Sequence, residues 1–318
     1  MDSTYVVGID VGGQTSKIGV VDARGTVLAQ TVIRTDTYDK VEPYIAELAE
    51  AVNKLIKESG TEGKVRGIGV GAPNGNYYTG TIENAPNLLW GRERVEFSKL
   101  LSEAMGGLPV ALTNDANAAA VGEMTYGAAR GMKNFIMITL GTGVGSGIVI
   151  NGEVVYGHDG FAGELGHTSA VRNNGRTCGC GKTGCLETYA SAIGMARTAR
   201  EWLELSDEPS LLRSLDNITS KDVYEAAKEG DKFALKVFDF TGKILGRSFA
   251  DFIAFSSPEA IVLFGGLARA KEYLLGPIEE AMNANVMPLW KNKVKIVFSQ
   301  LKESDAAILG ASALAWEL

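Results

Sequence analysis

Short apolar runs bounded by glycine turns alternate along the chain with longer stretches of helical period. Residues 5–10 are an apolar run ending in Asp10-Val11-Gly12-Gly13; residues 17–21 form a second run, the turn Asp22-Ala23-Arg24-Gly25 follows, and residues 26–33 form a third. This pattern predicts three strands joined by tight turns. Residues 41–59 carry Tyr44, Ile45, Leu48, Val52, Leu55 and Ile56 at helical spacing with Glu and Lys between them, an amphipathic helix. A strand over 65–70 leads into irregular sequence over 71–90, then a helix over 97–105 and a strand over 109–113. Asn114 and Asp115 are capping residues followed by alanines, so a helix is predicted to start beside Asp115.

The opening order then recurs. An apolar run over 134–140 meets the glycine-rich turn 141–147, a second apolar run over 148–150 and the polar turn Asn151-Gly152, which reads as an internal duplication. Helices are predicted over 190–205, 220–229 and 232–253, a strand over 259–264 running into Gly265-Gly266, helices over 273–287 and 304–316, and a strand over 294–298. Strands followed by helices, twice, predict two α/β lobes rather than an eight-repeat barrel, with a site in the cleft between them. The expected division is a small lobe over 1–113 and a large lobe over 114–303. The segment 304–318 is left free to pack back on the first lobe.

Composition narrows the function classes. A net charge of −7 with no basic block disfavours a general nucleic-acid binder, since such a surface repels phosphate backbones. The apolar share of 45 % and charged share of 22 % suit a well-cored globular chain. Glycine stands out at 39 of 318 residues, about one in eight where about 7 % is usual, and the excess lies in the turns. No basic segment followed by an apolar run opens the sequence, and no apolar run approaches the roughly 18 residues of a membrane span. A cytoplasmic protein without a membrane partner is therefore expected.

Two kinds of candidate chemistry stand out. Glycine turns bring backbone N–H groups close to phosphate, and Gly12-Gly13 and Gly141-Thr142-Gly143 could together grip one polyphosphate. A tight hairpin explains either turn alone. Neither is a Walker or dinucleotide loop, because a strand rather than a helix follows each. Asp10 could hold Mg²⁺ directly or through water, and Gly265-Gly266 could supply a third backbone contact, to the nucleoside. Separately, Cys178, Cys180 and Cys185 lie within eight residues, with His167 eleven positions upstream. Three thiolates and an imidazole form a closed tetrahedral zinc set, hence a structural one; the alternative is three unconnected thiols. An odd cysteine count disfavours a disulfide framework.

Taken together, CGCGKTGCLE (178–187), Glu164-Leu165-Gly166-His167, Asp10-Val11-Gly12-Gly13, Asn114-Asp115-Ala116-Asn117 and Leu140-Gly141-Thr142-Gly143 resemble the ROK family (repressor, open reading frame, kinase), within the hexokinase–actin–Hsp70 ATPase superfamily. The resemblance covers nearly the whole chain. It implies the α/β two-lobed actin-like ATPase fold, a duplicated ribonuclease H-like unit, and an ATP-dependent sugar kinase using Mg²⁺ and a structural Zn²⁺, most simply a glucokinase acting on the 6-hydroxyl. By resemblance Asp115 is the catalytic base; as a lone residue it reads first as a helix cap, and the two roles are compatible. Asn87, Asn114, Asp115, Glu164, His167 and Glu187 match sugar-binding positions by the same resemblance, and His167 is also a zinc ligand. Gly12, Gly13, Gly141, Thr142 and Gly143 fall on the phosphate loops. Gln14 stands where the family has threonine, and Thr15 is the neighbouring hydroxyl that could replace it.

Other hexose or N-acetylhexosamine kinases are the nearest alternatives, and polyphosphate is an alternative donor because glycine turns read phosphate rather than base. A sugar-responsive transcriptional regulator is the rival from another class; in this sequence Asp10 lies too near Met1 for a preceding helix-turn-helix. The family's habit of forming dimers or tetramers implies a homo-oligomer.

Overall fold

The first three apolar runs fold as an antiparallel meander, β1 (Tyr5–Val11), β2 (Thr15–Asp22) and β3 (Val27–Arg34). After α1 (Val41–Glu58) come β4 (Val65–Gly71), the two-residue strands β5 (Gly75–Asn76) and β6 (Thr81–Ile82), α2 (Phe97–Ala104), β7 (Val110–Thr113) and α3 (Asp115–Thr125). The chain continues through β8 (Phe135–Leu140), β9 (Val144–Ile150), β10 (Glu153–Val154), α4 (Glu187–Ala190), α5 (Ala192–Leu205), α6 (Ser220–Lys228), α7 (Lys232–Ser256), β11 (Ala260–Phe264), α8 (Lys271–Asn285), β12 (Lys295–Phe298) and α9 (Glu303–Leu314). This computed structural model describes residues 4–318; residues 1–3, part of the stretch that shows no secretory signal, lie outside the described residues.

The chain divides into two compact units. In the first, the sheet order is β3-β2-β1-β4-β7, with β4 and β7 parallel to β1. One sheet face carries Ile9, Ile18 and Ile68 into a core with Tyr44 and Leu48 of α1 and Phe97 of α2. The second unit orders its strands β9-β8-β11-β12, an antiparallel hairpin followed by two parallel strands, which repeats β2-β1-β4-β7. The duplication read from the sequence is thus a duplication of topology. Its core gathers Ile136, Ile138, Phe238, Phe249, Ile261 and Leu274. Among the described residues no helix is long and apolar enough to cross a membrane.

The division does not fall at residue 113. The first unit runs to Met132 and adds Glu153–Gly163 and Gln300–Leu318, so α3 belongs to it rather than to the larger lobe. Small residues are the cause. A Cβ on Gly69 would lie 1.9 Å from the Ala311 carbonyl oxygen, and one on Gly8 2.1 Å from that of Ile308, so α9 lies flat against β1 and β4. Gly122 of α3 meets Gly310 of α9 in the same way, with 2.7 Å from a notional Cβ to the Gly310 Cα. The C-terminal helix therefore packs back on the first unit and takes α3 with it. Local differences are smaller: Ser191 caps α5 through Gly194 N–H and splits the helix predicted over 190–205, and the irregular 71–90 stretch contains the β5-β6 hairpin.

The flat seating of α9 leaves no room for even a methyl group on β4. Gly69→Ala is expected to lower unfolding free energy by about 2–4 kcal/mol through overpacking against backbone that cannot yield. Urea denaturation measures it, and a loss under about 0.5 kcal/mol, the range of ordinary surface changes, would show that α9 is not seated on Gly69.

Candidate functional site

In the first unit, β1 delivers Asp10 to its C-terminal end, and the Gly12 N–H closes the following turn on the Thr15 carbonyl at 3.0 Å. A Cβ on Gly13 would lie 2.9 Å from the Asn87 carbonyl oxygen, so the turn rests against the Asn87 backbone. Thr15 opens β2, while Gln14 is exposed and engages through its carbonyl, which accepts from Thr35 N–H at 2.9 Å. The Gln14 side chain thus leaves the backbone of the turn unaltered.

The start of α3 bears on the cap reading of Asp115. The cap is Asn114, whose Oδ1 accepts Asn117 N–H at 2.7 Å, leaving its amide hydrogens to donate elsewhere. Asp115 is the first helical residue, exposed, with Oδ1 accepting Ala116 N–H at 2.8 Å. Desolvation by the surrounding protein nevertheless raises its carboxyl above the ordinary range, against the lowering effect of the backbone N–H groups of Ala116 and Asp115. Asp10 is pushed up to about 6, first by burial and then by the negative charge of Asp115, with Lys17 pulling the other way. Two carboxylates that resist joint ionisation form a natural position for a proton or a divalent cation.

In the second unit, the Gly141–Gly143 turn closes through Gly141 N–H to the Gly143 carbonyl at 3.0 Å, and the Gly141 carbonyl accepts from Ala192 N–H at 2.8 Å. The short helical turn Leu165–His167 is pinned on β9: Leu165 N–H donates to Ser146 Oγ at 3.0 Å, and a Cβ on Gly166 would lie 2.0 Å from the Val144 carbonyl oxygen. That seating carries Glu164 and His167 together beside the glycine turn. Glu187 begins α4, and its Oε2 accepts Val144 N–H at 2.9 Å. Gly265, with φ +103°, packs on Leu140, so Gly265-Gly266 lies at the end of β8. Beside Gly266 opens a cavity of about 340 Å³ lined by Ser220, Lys221, Tyr224 and Arg269.

The cysteine cluster passes a geometric test for zinc. Zn–S bonds of about 2.3 Å and Zn–N bonds of about 2.0 Å set tetrahedral edges near 3.8 Å for S···S and 3.5 Å for S···N. Cys180 Sγ and Cys185 Sγ lie 3.7 Å apart, Cys178 Sγ and His167 Nδ1 3.6 Å, and all four ligand atoms fall within 4.8 Å of one another. Without a cation, burial holds the Cys178 thiol up and that of Cys185 at about 12, whereas the backbone N–H of Lys182 lowers Cys180. A divalent ion removes that resistance to ionisation.

One residue of this region escaped the sequence reading. Arg176, with its side chain 9 % exposed, donates to the carbonyls of Thr188 and Gly194, to Thr198 Oγ1 and to Glu201, and covers the Tyr189 ring at 4.6 Å. It ties the strand of loop entering Cys178 to α4 and α5. An arginine amid glycines and polar residues carries no periodic signal, so only the fold reveals it.

Comparison with known proteins identifies the family. A profile of the ROK family matches residues 6–317. The glucokinase of Halalkalibacterium halodurans is 39 % identical over 98 % of this chain and 94 % of its own length. A ROK family glucokinase from Streptomyces griseus, solved in complex with glucose and AMPPNP, superposes with a TM-score of 0.80 at 32 % identity, covering 99 % of this chain and 100 % of that one. A ROK family transcriptional regulator, a homolog of the Escherichia coli MLC protein, superposes at 0.88 with 27 % identity, covering 98 % of this chain and 78 % of the regulator. The chain belongs to the ROK family, and its fold is that of the family's two-lobed, actin-like kinases.

Two measurements test the site as built. Elemental analysis is expected to find one zinc per chain, and Cys185→Ser to lose it with a clear fall in melting temperature; full retention of zinc by that variant would remove Cys185 from the ligand set. For Asp10, a folded-state pKa near 6 lies above the unfolded value of about 3.9, so the folded protein binds the extra proton between these values and its stability falls as pH rises through 6. Metal-free Asp10→Asn is therefore expected to be more stable than wild type at pH 7.5, with the gain vanishing below about pH 4. An equal gain at both pH values would exclude Asp10 as its source.

Proposed function

We propose that this ROK-family chain is an ATP-dependent hexose kinase that transfers the γ-phosphoryl group of ATP to the 6-hydroxyl of glucose. The observation that carries the reading is the start of α3: an amide whose oxygen is committed to the cap and whose N–H₂ remains to donate, followed by a carboxylate with a raised pKa. Binding alone needs no proton acceptor at such a position, whereas phosphoryl transfer to an alcohol does.

In the proposed reaction the sugar oxygen forms a bond to the γ-phosphorus, the bond from that phosphorus to the β–γ bridging oxygen breaks, and the hydroxyl proton passes to Asp115. ADP leaves with the electrons of the broken bond. Asn87 and Asn114 present amides to the sugar, and Glu164, His167 and Glu187 take its hydroxyls, since each carboxylate can accept from two neighbours. Such a set penalises analogues that lack a hydroxyl. Gly12, Gly13, Gly141, Thr142 and Gly143 offer backbone donors to the phosphates, and the cavity beside Gly266 is of a size for the nucleoside. Mg²⁺, when bound, offsets phosphate charge, and Asp10 is the residue suited to hold it. Zinc braces the loop that carries His167 and leads into Glu187.

Full-length similarity to glucokinases supports glucose as the acceptor and ATP as the donor. A panel of glucose, fructose, mannose and N-acetylated hexosamines, each with ATP and with polyphosphate in the presence of Mg²⁺, tests both choices. Glucose with ATP is expected to give the highest kcat/KM; turnover confined to an N-acetylated sugar would overturn the acceptor. Asp115→Ala is expected to lose about 10²–10⁴-fold in kcat, the usual contribution of a general base, while glucose affinity by calorimetry changes less than about 3-fold. Retained turnover would take the base role from Asp115.

A further inference from the structure

Glu187 is assigned above only to the sugar, yet in the structure its carboxylate is already engaged elsewhere. Oε2 accepts the N–H of Val144, the residue that directly follows the second glycine turn. It occupies the space that a side chain at position 143 would need: a Cβ on Gly143 would lie 2.4 Å from Oε2. The other oxygen, Oε1, faces Cys178 Sγ at 3.8 Å. One carboxylate therefore touches both the loop proposed to hold phosphate and the loop that carries the metal ligands. Gly143 is glycine for two reasons, to bare its own N–H and to admit this carboxylate.

We propose that Glu187 is shared between the two substrates, and that Gly143 is a positioning residue whose missing side chain lets glucose binding and nucleotide binding reinforce each other. The inference rests on the hexose-kinase reading. A carboxylate offers about four lone-pair directions, so a sugar hydroxyl can donate to Glu187 while Val144 N–H keeps its bond. Whichever ligand binds first fixes the Glu187 rotamer and, through Val144, the glycine turn. The second ligand then meets a loop already ordered and loses less conformational freedom on binding. Linkage makes the effect reciprocal, so the same factor appears for glucose with nucleotide and for nucleotide with glucose.

The test is a binding cycle by calorimetry on the zinc-loaded protein, with AMPPNP and Mg²⁺ titrated in the absence and presence of saturating glucose. Wild type is expected to bind AMPPNP about 5- to 20-fold more tightly with glucose present, the lower part of the usual range of coupling between sites. In Gly143→Ala the new methyl group displaces the carboxylate, and the ratio is expected to fall to within about 2-fold of one. Glu187→Asp provides a second route to the same result, since a side chain shorter by one methylene cannot span both partners. A purely structural role would weaken both titrations of a variant alike and leave the ratio at its wild-type value; that result in either folded variant, or a wild-type ratio of one, overturns the link. Failure of the wild-type chain to bind glucose at all overturns the hexose-kinase reading instead.

Discussion

A turn that offers backbone N–H groups to phosphate must be nearly free of side chains, and a turn free of side chains has little with which to hold its own shape. The three glycine turns proposed to hold the nucleotide are accordingly braced from behind by something else. The Asn87 backbone lies against Gly13, Leu140 lies against Gly265, and the Gly141–Gly143 turn is held by Ala192 N–H on one side and the Glu187 carboxylate on the other. These braces coincide with residues read for other purposes. Asn87 and Glu187 are residues of the proposed sugar site, and Ala192 opens the helix that follows the candidate metal-binding loop. In that proposal substrate recognition is tied to loop shape, and a residue cannot be exchanged for its sugar contact alone.

The second unit faces a related difficulty. From residue 164 to 186 regular structure amounts to one short helical turn, far too little to order a loop of that length on its own. Two devices substitute for a core. The His167, Cys178, Cys180 and Cys185 set can be closed by one ion, and Arg176, nearly buried, distributes its donors over two backbone carbonyls, a threonine and Glu201. An ion held by these four residues would constrain the loop against the Leu165–His167 turn, while the arginine constrains it against α4 and α5. The backbone at Glu187, the first residue of α4, thus lies between the two restraints.

Much of this was legible from residue order. Runs of alternating or continuous apolar residues between glycine turns specify strands wherever one face is buried, and the repeated strand–turn–strand order foretold the matching sheet topologies of the two units. The cysteine spacing, with His167, carried its chemistry openly because few other functions need that set. What could not be read were relations between distant segments. Asn114 and Asp115 are both good caps, and only the backbone angles assign the role to Asn114. The Glu187 bond to Val144 and the Arg176 network join positions 43 and 12 to 25 residues apart without any periodic trace. The boundary expected at 113 failed for the same reason: helix periodicity shows that a helix forms, and complementary small residues decide what it packs on.

That last point bears on how the proposed base is held. A helix that presents a reacting carboxylate at its first residue must be fixed along its axis, because a shift of one residue moves the N-terminus by about 1.5 Å. In α3 the restraint comes from its far end, where Gly122 meets Gly310 backbone to backbone, and from α9 itself, which is pressed onto β1 and β4 by Gly8 and Gly69. Gly71, at the end of β4, lies under Asp115 and Ala118, with 3.6 Å from a notional Cβ to the Asp115 Cα. The same sheet that carries Asp10 thus sets the height of Asp115. The effect of Asp115 on the ionisation of Asp10 follows from glycines that let helices and strands approach more closely than side chains would permit. Part of the glycine excess in the composition therefore lies in bare backbone for packing, apart from the turns, and these packing glycines converge on the placement of one acid.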